Sequence, residues 1–97
     1  MKVTFDPAAS DDLDRLFAWI AKDNPRAALN MIARIEDKVM RLGSPELTYM
    51  GRPGLVEGTR ELLEWPYIIV YKVYEYREEV VIVSIAHGAQ DRKSAEA

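Results

Sequence analysis

The chain has 97 residues, enough for one domain (residues 1–97) around a single core. Its 48% apolar and 30% charged residues are those of a folded protein rather than a disordered one, and the absence of cysteine removes disulfides, thiolate zinc sites and thiol nucleophiles. A formal net charge of -3 argues against a protein built on nucleic-acid backbone contacts, and neither half is basic: 7 Lys/Arg stand against 8 Asp/Glu in residues 1–50, and 6 against 8 in residues 51–97.

No apolar run approaches the ~20 residues of a membrane helix. Residues 1–7 lack the apolar stretch of a signal peptide. The expected location is therefore the cytoplasm, with no membrane contact.

Residues 2–5 alternate apolar and polar, as a short strand does. Asp6-Pro7 then reads as a helix start, because aspartate caps well and proline at the first helical position gives up no needed N–H. Asp11, Asp12 and Asp14 follow early in that helix, near the positive end of its dipole. Leu13, Leu16, Phe17 and Ile20 make one apolar face, with Trp19 off its centre.

Asn24-Pro25 repeats the start signal, so the first helix ends near Asp23 and a second runs over 25–42. Its stripe is Ala28, Ile32, Ile35, Val39 and Leu42; Gly43 reads as a left-handed cap and Pro45 forbids resumption. So short a link makes the two helices an antiparallel hairpin.

Residues 44–58 form a loop punctuated by Pro45, Gly51, Pro53, Gly54 and Gly58. Residues 59–63, 67–76 and 80–86 read as strands, separated by Trp65-Pro66 and by the charged link Arg77-Glu78-Glu79. Strict alternation puts Val81, Val83, Ile85 and His87 on one face of the last strand, and Val80, Ile82, Ser84 and Ala86 on the other. Hairpin links imply antiparallel pairing. The expected architecture is α+β, in the order β-α-α-β-β-β, with a helical hairpin packed on an antiparallel sheet.

No nucleotide loop, paired metal ligands or nucleophile elbow occurs, and a single histidine cannot build a histidine metal site; no cofactor and no metal are expected. His87, at a strand end, is a candidate acid or base, though strand-end histidines more often cap backbone groups or pack on an aromatic. Arg60 could clamp a phosphate or a partner carboxylate, or equally pair locally with Glu61, Glu64 or Asp91. Arg92 and Lys93 read as a solvated charge run, and Arg52 as an exposed loop arginine able to reach a ligand. The tyrosines 67, 71, 74 and 76 read as sheet packing. Trp19 and Trp65, off the core stripe and beside a turn, are candidate protein-interface anchors.

Taken in order, Phe5-Asp6-Pro7-Ala8-Ala9 leading to Asp12-Leu13, Asn24-Pro25 with Ala27-Ala28, Gly58-Thr59-Arg60-Glu61-Leu62, Pro66-Tyr67-Ile68-Ile69-Val70-Tyr71 and His87-Gly88-Ala89-Gln90-Asp91 resemble the ParE/RelE superfamily of bacterial type II toxins, over residues 3–92. The ParE-like branch is the more similar. The resemblance implies a toxin neutralised in a hetero-oligomer by an antitoxin encoded beside it, ParD-like with a ribbon-helix-helix domain. DNA binding would belong to that antitoxin and not to this chain alone.

ParE-like toxins poison DNA gyrase by binding it, whereas RelE-like toxins cut mRNA in the ribosome. In-line RNA cleavage needs a base, an acid and cations for the phosphate. RelE-type enzymes place an arginine in the central strand, and the matching stretch here, Tyr67-Ile68-Ile69-Val70-Tyr71, has none. A nuclease would have to use Arg60, His87 and Arg92. The expectation is a gyrase-binding poison without a catalytic site; the alternatives are a ribosome-dependent endoribonuclease and a non-toxic structural partner of the antitoxin. Candidate partner-binding residues are Trp19, Arg52, Arg60, Trp65 and His87.

Overall fold

The computed structural model describes residues 1–88. Strand β1 (Lys2–Phe5) leads into helices α1 (Pro7–Ala21) and α2 (Pro25–Arg41), then β2 (Arg52–Pro53), β3 (Arg60–Glu64), β4 (Tyr67–Tyr74) and β5 (Glu79–His87). Both helices begin as their sequences dictate. Asp6 accepts from the Ala8 N–H at 3.0 Å, Asn24 accepts from the Ala27 N–H at 3.0 Å, and a proline follows each cap. The α2 stripe is buried at Ala28, Met31, Ile35 and Val39, so its centre is Met31 rather than the half-buried Ile32. Gly43 does not adopt a left-handed cap. Its small size is needed because a Cβ there would stand 2.9 Å from the Met1 carbonyl oxygen.

The five strands lie in the order β1-β5-β4-β3-β2. β3, β4 and β5 pair antiparallel, as their short links require, but β1 pairs parallel with β5, so the sheet is mixed rather than wholly antiparallel. No hairpin joins β1 to β5, and turn length therefore says nothing about their relative direction. Thr4 Oγ1 donates to Glu79 Oε2 at 2.8 Å across this pair.

The helices cover one face of the sheet. On it Tyr67, Ile69 and Tyr71 of β4 join Val80, Ile82 and Ile85 of β5, Leu62 of β3, and Leu16, Met31, Ile35 and Val39 of the helices. The burial of both Ile82 and Ile85 breaks strict alternation. Val70 pairs with Ser84 but Tyr71 pairs with Ile82, so Val83 is the extra residue of a β-bulge. The bulge reverses the faces beyond it, putting Ile85 and His87 with Val80 and Ile82 on the helix side. Asp12 of α1 meets this irregularity: its Oδ2 accepts from the Ile85 N–H at 3.0 Å.

The loop after α2 is folded against the sheet by buried hydrogen bonds. Thr48 Oγ1 donates to the carbonyls of Leu42 and Ser44, at 2.9 and 3.1 Å. The fully buried Tyr71 hydroxyl donates to the Thr48 carbonyl at 3.0 Å and accepts from the Gly51 N–H at 3.1 Å. Gly51 admits no side chain, since a Cβ would lie 2.4 Å from the Glu61 carbonyl oxygen.

Tyr71→Phe leaves the shape of the core intact but strands a buried N–H, and is expected to cost about 1–3 kcal/mol in urea unfolding with an unchanged m value. A loss below about 0.5 kcal/mol would show that the hydroxyl does not anchor the loop.

Glu79 has a lowered pKa, chiefly through the Thr4 hydroxyl bond and further through Arg77, against a smaller opposing effect of desolvation. A depressed carboxylate stabilises the fold above its unfolded pKa, and that contribution is lost as pH falls through the folded value. Glu79→Gln should flatten the acid limb of a Tm-against-pH curve below about pH 5; a limb parallel to that of the parent assigns the acid sensitivity to other groups.

Candidate functional site

Among the described residues the candidates do not converge on one site. Arg60 opens β3 opposite Tyr71, and His87 closes β5 opposite Tyr67. Four residues of β4, about 13 Å, and two strand spacings separate their backbones. The arginine side chain turns toward the loop that precedes β2. One terminal nitrogen donates to the carbonyls of Tyr49, at 3.0 Å, and Gly51, and the guanidinium carbon sits 5.4 Å from the centre of the Tyr49 ring. Its Nε is enclosed without a hydrogen-bond partner. These contacts make Arg60 a clasp on the loop; Asp91, one of the local acids weighed from the sequence, lies outside the described residues. Tyr49 in turn donates its hydroxyl to Glu75, and that bond is the main cause raising the Tyr49 pKa above its ordinary value.

His87 is half-buried, packed edge-on against Tyr67 with ring centres 5.6 Å apart and planes at 89°. The bulge at Val83 aims it to the helix side, where it makes the aromatic contact weighed from the sequence. Arg52 pairs with the buried carboxylate of Glu61 at 3.2 Å. Arg92 lies outside the described residues.

Trp19 and Trp65 are each 70% exposed, and among the described residues no element covers them. Trp19 stands near the end of α1 with the Lys22 ammonium 5.7 Å from its ring centre, beside a shallow hollow that Asp23 also lines. Trp65 sits in the β3–β4 turn before a cis proline. Two further apolar side chains, Leu29 and Met40, are exposed on α2. They are eleven residues apart, which places them on one line of the helix about 16 Å long. Sequence reasoning missed them because it followed the core stripe; their off-stripe position was the available signal.

Another unforeseen feature is the link between β4 and β5, a single 3-10 turn at Glu75–Arg77. Tyr76 there is 81% exposed and not part of the sheet packing expected for the tyrosines. No group of three or more His, Cys, Asp or Glu side chains able to hold a metal ion occurs among the described residues. Nor is any helix among them long and apolar enough to cross a membrane. The geometry thus offers separated exposed aromatic and apolar positions, and Arg52, Arg60 and Arg77 are engaged within the fold.

Comparison with known proteins shows the family. The family described as "ParE toxin of type II toxin-antitoxin system, parDE" matches residues 3–92. A Sinorhizobium fredii (strain NBRC 101917 / NGR234) protein, Y4kP, whose name proposes it as a toxin, is 40% identical over 80 residues, 80% of this chain and 78% of its own. Among solved structures, the chromosomal ParDE toxin–antitoxin system of P. aeruginosa is similar with a TM-score of 0.75 at 27% identity, over 90% of this chain and 95% of that one. The RelBE2 toxin–antitoxin complex of Mycobacterium tuberculosis is similar with a TM-score of 0.61 at 26% identity, over 89% and 88%. Matched across nearly all of its described residues by the family and sharing its fold, the chain belongs to the ParE toxins of type II toxin–antitoxin systems.

Proposed function

We propose that this toxin acts by binding DNA gyrase and carries no catalytic site of its own, and that a ParD-like antitoxin encoded beside it holds it inactive. The observation that carries the first part is the separation of Arg60 from His87, together with the engagement of Arg60 by the Tyr49 and Gly51 carbonyls. In-line RNA cleavage needs its base, acid and phosphate-binding cation around one phosphate. Groups set about 13 Å apart along β4 and two strands apart do not meet that need, and β4 supplies no arginine between them. Membership of the ParE family supports the same reading.

The antitoxin rests on two observations. The similar solved structures are of toxin–antitoxin systems. The line formed by Leu29 and Met40 on α2 also suits the apolar face of an added helix.

Induced expression without antitoxin is expected to arrest growth, and the purified chain with gyrase and ATP is expected to accumulate cleaved plasmid. Unbroken DNA together with cut mRNA on programmed ribosomes would replace this reading with the endoribonuclease one. Normal growth would leave a structural partner of the antitoxin.

Arg60→Ala separates the readings further. As a loop clasp, Arg60 is expected to cost about 1–2 kcal/mol of stability when truncated, with gyrase poisoning retained at temperatures where the variant stays folded. Lost toxicity in a variant of unchanged stability would return Arg60 to a functional site.

A further inference from the structure

The β4–β5 turn carries a side chain that is at once the most exposed of the large apolar and aromatic residues and firmly held. Tyr76 is 81% exposed. Its ring meets Tyr74 edge-on at 6.1 Å and 89°, and Arg77 Nη1 donates to its hydroxyl at 3.1 Å. The Arg77 guanidinium lies 4.2 Å from the Tyr74 ring centre and 5.6 Å from that of Tyr76. Behind it, Glu79 Oε1 stands 2.6 Å from Arg77 Nε, and Thr4 holds the other carboxylate oxygen. The backbone adds a further constraint: Glu78 takes a left-handed conformation, φ 50°, that a non-glycine residue adopts at a cost.

A free surface tyrosine would lose little by lying flat and moving. This one is held by its edge-on contact with Tyr74 and by the hydrogen bond from Arg77, whose charge Glu79 matches. Such a side chain has already lost much of its rotamer freedom, so burying it in a partner costs less than burying a mobile one. The Arg77 charge is matched by Glu79, so covering Arg77 strands no lone cation, while the exposed Glu75 and Glu78 carboxylates stay at the rim of the contact. Tyr49 and Met50, both partly exposed, lie beside the turn through the Tyr49–Glu75 bond and widen the patch.

We infer that Tyr76 is the anchor by which this toxin engages the protein it poisons, filling an apolar recess whose wall carries a hydrogen-bond acceptor for the phenol. The inference rests on the binding-poison reading above. Three features select this partner. The phenol oxygen accepts from Arg77 and keeps its own O–H to donate, which sets the need for an acceptor. The arginines around the patch are engaged, Arg77 by Glu79 and Arg60 by carbonyls, and Glu75 and Glu78 add exposed carboxylates, so the patch suits a protein recess better than a phosphate backbone. Finally, the patch is a compact, preset point, suited to a folded surface, whereas the α2 line of Leu29 and Met40 suits an elongated segment. The target and the antitoxin then occupy different surfaces.

The test compares the parent chain, Tyr76→Ala and Tyr76→Phe in three measurements: colony formation after induction, affinity of the purified chain for its antitoxin, and Tm. Tyr76→Ala is expected to relieve growth arrest by about tenfold or more, as loss of a central aromatic anchor does, with antitoxin affinity and Tm unchanged. Tyr76→Phe is expected to fall between the two, and it decides the matter should the alanine variant melt early. A photo-crosslinking p-benzoylphenylalanine at position 76, pulsed in cells lacking antitoxin, is expected to give protein adducts resistant to nuclease.

Undiminished arrest by Tyr76→Ala overturns the anchor while leaving the toxin reading intact. Weaker antitoxin binding or nuclease-sensitive adducts overturn it too, by assigning the patch to the antitoxin or to nucleic acid. A parent chain that arrests no growth removes the toxin reading and the anchor together.

Discussion

The structure depends on one buried hydroxyl. Tyr71 lies in the middle strand of the sheet with no exposed surface, and its oxygen both receives the Gly51 N–H and gives its proton to the Thr48 carbonyl. A loop pressed against a core must satisfy its backbone groups or lose their hydration without return. The tyrosine does this where no strand could, and the glycine at 51 makes the close approach possible. From that point the contacts run outward: the loop reaches β2, β2 pairs with β3, Arg60 of β3 clasps the loop carbonyls, and Tyr49 reaches the β4–β5 turn. The residues between the helices and the sheet's second half thus become part of the scaffold.

Much of the fold could be read from sequence where local chemistry decided it. Asp6-Pro7 and Asn24-Pro25 announce helices because a cap oxygen and a fixed proline φ act on their own neighbours. The hairpins of β3, β4 and β5 follow from short links. What could not be read was decided by distant contacts. Val81, Val83 and Ile85 alternate with residues nearly as apolar, so nothing in the pattern marks Val83 as the bulged one. Only the need to bury both Ile82 and Ile85 reveals it, with Asp12 of a different element filling the gap left in the ladder. The direction of β1 and the role of Gly43 were hidden in the same way.

The surroundings of the candidate residues were harder to read, for a related reason. An arginine at a strand start and a histidine at a strand end look alike whether they face a ligand or the protein. Arg60 was absorbed by loop carbonyls and His87 by Tyr67, partners that lie 9 to 20 residues away along the chain. Trp19 and Trp65 remained outside, as their poor fit to the apolar stripes suggested. Position on the wrong side of a stripe was thus the more reliable guide to exposure, and residue chemistry alone the less reliable guide to role.

The parallel seam between β1 and β5 joins the first strand to the last, with Thr4 bonded to Glu79 across 75 positions of chain. Contacts so remote in sequence form late, after the loop between them has been drawn in. During synthesis, β1 has no neighbour until β5 has emerged, and a product cut short before Val80 leaves the sheet open along that seam. A toxin built this way closes its sheet only after β5 has been made, which separates the translation of its first strand from the moment at which the fold is complete along this seam.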